Sequence, residues 1–488
     1  MMKQACTLII TLSLVACGGS SEEPSAELDG FEGVRKAAKA QLRGSSAPAV
    51  SIAIHHNGEL VFAEAFGAKQ KGGKEPVDKD TLFQLGSTTK MFTALALLRQ
   101  VDSGKMALTD AVPSVLPEML IADDQQENWQ KMTVHDLLSH QAGLAEFDGS
   151  LHENNRLLSF TKDSYPMLYG PMNPPGLFFN YSNSHWSYLG ALLEQDLGAS
   201  FESLIKEQAF LPLTMPRTTV SRSELLNDGN YALGSGVIIE GDELVYGSAN
   251  NLNHIPSSEL GIPAGQFTWS TPSEVLKMAE FLLFGNQDIL SESLRQEMIS
   301  PQIGLDIGLP ISYGYGLFIS DGFNDSEGNW YATPRLDHGG NTPAYSSMFW
   351  LLPEENVAVS ILSSGAQTDF TATMMAALRS VIQLPPAQQV PVDAVDTSLY
   401  ENHVGRYTGI FGPVEVSLSE GDLYVSIPDY DKQGITYQSR LVPLAASYFR
   451  IVFNEGRDKN YDVTFIPEVE GGESSYIRHR EFVLLREE

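Results

Sequence analysis

The chain has 488 residues, 42% of them hydrophobic, and carries 61 acidic against 31 basic side chains for a formal charge of −30 at pH 7. Its length suggests about two to four domains, with apolar residues enough for real cores. The charge excludes nucleic acid and anionic lipid headgroups as partners, since both would be repelled, and reads as solubility.

Lys3 precedes an apolar run over residues 5–15, far shorter than the ~20 residues of a membrane-spanning helix, so the run reads as an export signal. It ends Leu14-Val15-Ala16-Cys17, followed by Gly18, Gly19, Ser20 and Ser21, which resembles a bacterial lipobox. That resemblance implies a signal peptide over 1–16, a lipid anchor on Cys17, and, because Gly18 is not an aspartate, the periplasmic side of a Gram-negative outer membrane. The alternative is an ordinary secretory signal with a chance cysteine. Cys6 and Cys17 are the only cysteines, so no disulfide is expected in the mature protein. Residues 17–29 are small, polar and acidic and read as a flexible tether.

Residues 49–55 and 60–65 alternate about Asn57-Gly58 and predict a β-hairpin. After Gly86 a helix is expected over 87–98, with Met91, Ala94, Leu95 and Leu98 on one buried face. Thr133-Val134-His135-Asp136 starts a short capped helix that Gly143 closes. A loop ending in Pro174-Pro175-Gly176 leads to Tyr181-Ser182-Asn183. Thr271-Pro272-Ser273-Glu274 opens a helix to about Phe284. Strands return at 316–320, 345–352 and 357–362, the last two paired across 353–356, and a helix follows near 368–384. This is a mixed α/β (α+β) pattern of sheet, helices and sheet over 30–385. Residues 386–396 read as a linker, and 397–488, with runs at 414–418 and 423–427 about Glu420-Gly421, as a small β-barrel.

Three clusters stand in order: Ser87-Thr88-Thr89-Lys90, Tyr181-Ser182-Asn183 and His338-Gly339-Gly340. Together they hold a nucleophile, candidate bases and an oxyanion site, the parts needed for acyl transfer from a serine. Each pattern recurs, at Ser159/Lys162 and Ser203/Lys206, at Tyr400/Asn402 and at His403/Gly405, so context has to choose. Ser87 and Lys90 share the apolar face of the predicted helix, where a lysine loses solvation, its ammonium form is disfavoured, and it can take the serine proton. Ser203 and Lys206 lie opposite the apolar stripe Phe201, Leu204, Ile205 and Ala209, and Asp163 and Pro166 cut short any helix after Ser159/Lys162. His135 and His140 miss the i, i+4 metal clamp and read as structural; no metal or other cofactor is expected. Tyr313, Tyr315 and Phe318 read as strand packing. No serine has the Gly-x-Ser-x-Gly surround of an α/β-hydrolase.

Leu85-Gly86-Ser87-Thr88-Thr89-Lys90-Met91-Phe92-Thr93-Ala94, Leu137-Leu138-Ser139-His140-Gln141-Ala142-Gly143-Leu144, Phe179-Asn180-Tyr181-Ser182-Asn183 and Pro263-Ala264-Gly265-Gln266 are together similar to the serine β-lactamase-related superfamily, over residues 30–385. That group includes class C β-lactamases, DD-peptidases, D-aminopeptidases and family VIII esterases. The resemblance implies an antiparallel sheet flanked by helices, with an inserted, mostly helical subdomain from about 80 to 230, and a lipocalin-like domain over 397–488. It implies that Ser87 forms the acyl-enzyme, that Lys90 and Tyr181 share the general-base work, and that Asn183 bonds Lys90 and the substrate amide. The oxyanion hole would be the backbone N–H groups of Ser87 and Asn341, beside Gly340, where one donor is typically worth ~3 kcal/mol. His338-Gly339-Gly340 stands where β-lactamases carry Lys-Thr-Gly. A titrating imidazole and a missing hydroxyl weaken recognition of a substrate carboxylate, for which Arg335 would partly substitute.

The expected protein is a lipid-anchored serine hydrolase cleaving a small-molecule ester or peptide amide. The alternatives are a β-lactamase, or a DD-carboxypeptidase or D-aminopeptidase acting on cell-wall-type peptides, and a non-catalytic protein that binds such peptides. Oligomeric state is not legible in the sequence.

Overall fold

The computed structural model describes residues 30–487 apart from 46, 117–120, 145, 147–169, 241–242, 248–262, 410–411, 455–459 and 481. The signal, lipidation and tether expectations at 1–29, and the Ser159/Lys162 pair, lie outside the described residues. A first helix, α1 (Glu32–Gly44), precedes strand β1 (Ala49–His56), which folds back on β2 (Glu59–Gly67). Asn57 and Gly58 have φ of 54° and 83°, the pair of left-handed residues that a tight two-residue hairpin requires.

Six later strands complete an antiparallel sheet: β3 (Ile303–Gly304), β4 (Ile311–Tyr313), β5 (Phe318–Ser320), β6 (Arg335–Asn341), β7 (Ser346–Leu352) and β8 (Val357–Ser363), in the order β2-β1-β8-β7-β6-β5-β4-β3. Both faces are covered, which is why β1 and β8 are buried nearly end to end rather than at alternate residues. On one face Ile52, Val359 and Ile361 pack on Val34 and Ala38 of α1 and on Met374 and Leu378 of the helix Thr371–Val381. On the other, Ala53, Ala358 and Leu362 meet a larger core built by the helices between β2 and β3.

Within that core α2 (Lys90–Asp102) is buried at every position from Lys90 to Leu98. The expected single apolar face is therefore wrong. α2 is a central helix, wrapped by other helices, and Ser87 precedes it in a 3₁₀ turn over Gly86–Thr89. The helix α3 (Val134–Leu138) has the reciprocal Thr133/Asp136 capping box, but it ends at Ser139, not at Gly143. His140 takes the left-handed conformation there (φ 61°), and Gly143 (φ 74°) serves a later turn where a Cβ would lie 2.6 Å from the Asn173 carbonyl oxygen. The helix α4 (Ser184–Leu197) begins directly after Asn183. Thr271 caps the helix Pro272–Phe284 as expected, although the Glu274 carboxylate accepts from the Thr218 backbone instead of returning to the cap.

The C-terminal part is a second antiparallel sheet of β9 (Gly405–Gly409), β10 (Gly412–Ser419), β11 (Asp422–Ser426), β12 (Val442–Pro443), β13 (Tyr448–Ile451), β14 (Tyr461–Pro467), β15 (Ser474–His479) and β16 (Phe482–Arg486), ordered β11-β10-β9-β16-β15-β14-β13-β12. It curls into a half-barrel whose first strand meets the segment entering its last: Leu441 N donates to Leu423 O at 2.9 Å and Val425 N to Ser439 O at 2.7 Å. The inner face is apolar and filled, leaving a cavity of about 30 Å³, room for no more than a water or two. Tyr400 and His403 belong to this core, which disposes of the second Tyr-x-Asn and His-x-Gly matches.

The half-barrel is tied to the first sheet's domain in three ways. The segment 386–396 is held rather than loose, since Gln388 exchanges both backbone hydrogen bonds with Trp330 and Asp393 N donates to Gly308 O. Phe178 packs on Ile466, Tyr476 and Val483. Arg478 of β15, almost wholly buried, donates to Phe179 O at 2.6 Å, Leu305 O at 2.7 Å and Thr464 Oγ1 at 2.7 Å. Burial lowers its pKa to about 10, so it remains a cation at neutral pH. Charge-assisted hydrogen bonds contribute about 1.5–3 kcal/mol each before the cost of burying the charge. Arg478→Met is therefore expected to split a single calorimetric transition into two, with the half-barrel melting first; one unsplit transition at the wild-type temperature would show that docking does not depend on this residue.

Candidate active site

The turn that carries Ser87 is pressed against β6. A Cβ on Gly340 would lie 1.9 Å from Leu85 O, and one on Gly86 (φ 57°) would lie 2.7 Å from Asn341 N. These two glycines permit the approach, and hydroxyls fasten it: Thr88 Oγ1 donates to His338 O at 3.1 Å, and Ser347 Oγ donates to Leu85 O at 2.5 Å. The backbone of Asn341 is thereby set beside the nucleophile's turn, with its side-chain oxygen accepting from Ser346 Oγ at 2.8 Å.

Lys90 has no exposure to solvent. Its Nζ lies 2.9 Å from Ser87 Oγ, 2.6 Å from Asn183 Oδ1 and 3.1 Å from Gly265 O. The Tyr181 and Trp186 ring centroids are 5.1 and 5.7 Å from the same nitrogen. Ser87, Lys90, Tyr181 and Asn183, which are 96 residues apart from first to last in the numbering of the chain, thus share one pocket. Ser203 and Lys206 do not meet: Ser203 is exposed, and Lys206 pairs with Glu224.

Asn183 bonds Lys90 as expected and has a partner that the sequence did not suggest. Its Nδ2 donates to Glu146 Oε1 at 2.7 Å, while its backbone N donates to Glu146 Oε2 at 2.8 Å. Arg480, in the turn between β15 and β16, donates to Glu146 Oε1 at 3.1 Å and places its guanidinium 4.7 Å from the Tyr181 ring centroid. On its other contacts Tyr181 stacks with His140, centroids 4.3 Å apart and planes at 25°. His140 is fully buried, 2.8 Å from His185 through the two Nδ1 atoms, and accepts from Trp186 Nε1 at 3.2 Å. His135 instead bonds Tyr315 Oη at 2.7 Å through Nδ1.

His338 is buried, its Nδ1 2.7 Å from Gly339 O and its Nε2 3.3 Å from Tyr313 Oη. Only an Nδ1–H can serve a carbonyl, so Nε2 accepts from the tyrosine hydroxyl. Desolvation, then the Lys90 charge, pushes its pKa down to about 3. The imidazole expected to titrate is therefore neutral throughout the physiological range. Arg335 does not replace the missing cation. It sits an odd number of residues from His338 and so faces the other side of β6, bonded to Asp337 Oδ2 at 2.8 Å and stacked 4.3 Å above Trp350.

Sequence reasoning missed Glu146, Gly265 O, Trp186 and Arg480. Gly265 lay in a recognised motif, but a carbonyl's direction leaves no trace in residue identity, and Glu146 and Arg480 have no local signal at all.

Buried neutral histidines fix the sign of the acid response. His185 and His338 are each lowered to about 3 and His140 well below its usual value, all chiefly by desolvation. Below about pH 6.5 the unfolded chain binds protons there that the folded chain refuses, so stability is full above that pH and is lost as pH falls towards 3. Each such group steepens the loss by up to ~1.4 kcal/mol per pH unit. Denaturant unfolding between pH 7 and 4 should show this slope, reduced in His338→Gln; an unchanged slope would mean that His338 is protonated in the fold.

A family model described as Beta-lactamase matches residues 34–383. Penicillin-binding protein 4* of Bacillus subtilis (strain 168) is 25% identical over 376 residues, 73% of this chain and 78% of that protein. The D-aminopeptidase of Brucella ovis is 25% identical over 360 residues, 71% of this chain and 62% of that protein. The crystal structure of SurE with D-Leu superposes with a TM-score of 0.67 over 94% of this chain and 99% of that one, at 19% identity, so that the fold recurs there with its C-terminal sheet included. With the match extending over most of its length, the chain belongs to the beta-lactamase family and is a serine hydrolase of that type.

Proposed function

We propose that the protein is a lipid-anchored, exported hydrolase that opens an ester or small peptide amide through an acyl-enzyme on Ser87. The observation that carries this reading is the surround of Lys90 Nζ. Asn183 Oδ1 and Gly265 O can only accept, and each takes one N–H. A further valence of Nζ points at Ser87 Oγ, 2.9 Å away. In the neutral amine that valence is a lone pair aimed at the serine hydroxyl; in the ammonium it is a proton aimed at the same oxygen. Such a site takes the hydroxyl proton as Ser87 attacks the carbonyl and passes it to the departing group; it then takes a proton from the water that attacks the acyl-enzyme and returns it to Ser87 Oγ as that bond breaks.

Tyr181, whose ring neighbours that nitrogen, is the second member of the relay. The backbone N–H groups of Ser87 and Asn341 hold the developing oxyanion, with Gly340 clearing the space that brings β6 to them. The neutral His338 keeps the imidazole where other members carry a lysine, so a free substrate carboxylate gains no ion pair from it. An ester or a small neutral amide follows as the preferred substrate, ahead of a β-lactam. The names of the relatives keep D-amino-acid peptides of cell-wall type as the second reading.

A nitrophenyl ester, a D-amino-acid peptide and a chromogenic cephalosporin, turned over side by side, should rank in that order. Ser87→Ala should abolish turnover and the mass adduct of a fluorophosphonate, and Lys90→Ala should reduce turnover by about 10²–10⁴-fold, the range of a lost general base. Cephalosporin hydrolysis as the dominant activity would reverse the substrate assignment, and an adduct retained in Ser87→Ala would remove the nucleophile.

Cys17 as the anchor is a separate proposal. It rests on Leu14-Val15-Ala16-Cys17 and the polar stretch that follows. Cells fed labelled palmitate should yield labelled, membrane-associated protein, and Cys17→Ser should lose both label and membrane association. Label retained in that variant would rule the anchor out.

A further inference from the structure

We infer that Glu146 and Arg480 are positioning residues for the nucleophile's base: the half-barrel holds Glu146 through Arg480, and Glu146 holds the Asn183 amide so that its oxygen, not its nitrogen, faces Lys90. This rests on the reading of Lys90 as the group that exchanges the Ser87 proton.

The argument starts from what an amide can do. Asn183 can present Lys90 with either an acceptor or a donor, and the two ends are almost the same size. Only the oxygen can receive a proton from Nζ. A carboxylate accepts and never donates, so Glu146 Oε1, 2.7 Å from Asn183 Nδ2, fixes which end is which. Its second oxygen takes the Asn183 backbone N–H at 2.8 Å. Both ends of the residue are then held by one carboxylate. That carboxylate sits at the start of the 14-residue helix α4, where the helix dipole also favours negative charge.

Glu146 itself is nearly buried, its side chain 10% exposed, while Arg480 is 53% exposed. An ionised carboxylate withdrawn from water needs a cation, and Arg480 supplies it at 3.1 Å from a different domain. The same guanidinium lies over the Tyr181 ring, 4.7 Å from its centroid. Two residues earlier Arg478 fastens Phe179 O, two residues before Tyr181. One strand end of the half-barrel therefore grips the Tyr181-Ser182-Asn183 segment at three points: the carbonyl before it, the ring within it, and the acid that orients its asparagine. Arg480, 334 positions from Glu146 in sequence, thus reaches Lys90 through two hydrogen-bonded intermediates, Glu146 and Asn183.

The test is the rate of fluorophosphonate labelling at Ser87, read by intact mass, together with kcat and KM on a nitrophenyl ester. Glu146→Ala should slow labelling about 10- to 100-fold, the cost of a misplaced catalytic group, with KM moved less than about twofold. Glu146→Gln, which keeps the shape and one acceptor, should fall between. Arg480→Ala, at a half-exposed site where folding is not at risk, should slow labelling about 5- to 10-fold, and Arg480→Lys should recover most of that. Because Arg480 acts in part through Glu146, the double variant Glu146→Ala/Arg480→Ala should lose clearly less than the product of the two single losses, the remainder being its contact with the Tyr181 ring. Labelling of all variants at the wild-type rate, or fully additive losses in the double variant, would overturn the relay while leaving Ser87 as nucleophile. No adduct in the wild-type protein would remove the base reading and the relay with it.

Discussion

A lysine nitrogen with no access to water imposes conditions on everything near it. Removed from hydration, the amine of Lys90 must have its protons received by protein atoms, and those acceptors must be held where they are. Among them are Ser87 one turn back, Asn183 at the start of α4, and the carbonyl of Gly265. α2 runs through the middle of the helical layer, buried at every position from Lys90 to Leu98. The central burial of α2, the approach of α4 and the placing of residues 263–266 together supply the contacts that one desolvated group requires. They also explain why the Ser203/Lys206 pattern, on the surface, carries no chemistry.

The second constraint is the distance between that helix and the sheet. The turn holding Ser87 lies so close to β6 that neither Gly86 nor Gly340 has space for a side chain. Proximity on this scale places backbone N–H groups near the nucleophile without any polar side chain to do the work. It also buries the neighbouring His338, and burial rather than sequence decides its charge. The imidazole is neutral because it is dry and faces Lys90. A position that looks like a switchable cation is in this fold a fixed hydrogen-bonding group, held between a carbonyl and the Tyr313 hydroxyl. Arg335, only three residues away, is lost to the site through the two-residue period of a strand.

Much of the architecture was legible because its signals are local. The left-handed pair Asn57-Gly58, the Thr133 and Thr271 caps and the hairpins about 353–356 and 420–421 each depend on a few adjacent residues. Where reading failed, a distant partner had changed the meaning of a local pattern. The apolar stripe of α2 looked one-sided because helical periodicity cannot reveal what covers the polar-looking face. Gly143 looked like a helix stop because glycine tolerates positive φ, yet His140 took that conformation, its ring locked by Trp186, His185 and Tyr181. Ser87 and Lys90 were paired from sequence because three-residue spacing in one turn is a local signal. Glu146 and Arg480 were not, because an isolated acid and an isolated base look like solvated surface until a fold pairs them.

The half-barrel does more in this arrangement than cover a surface. Its apolar interior leaves a cavity of only about 30 Å³, whereas its polar contacts with the other domain lie at its edge. There the buried Arg478 and the half-exposed Arg480 both reach across to the segment 179–183. A cation buried as deeply as Arg478 is tolerated because it finds two carbonyls and a hydroxyl, and two of those three acceptors lie in the other domain. Undocking would strand it. The docked state is therefore the one in which Tyr181 and Asn183 are held, and the stability of the interface and the geometry of the base become a single property.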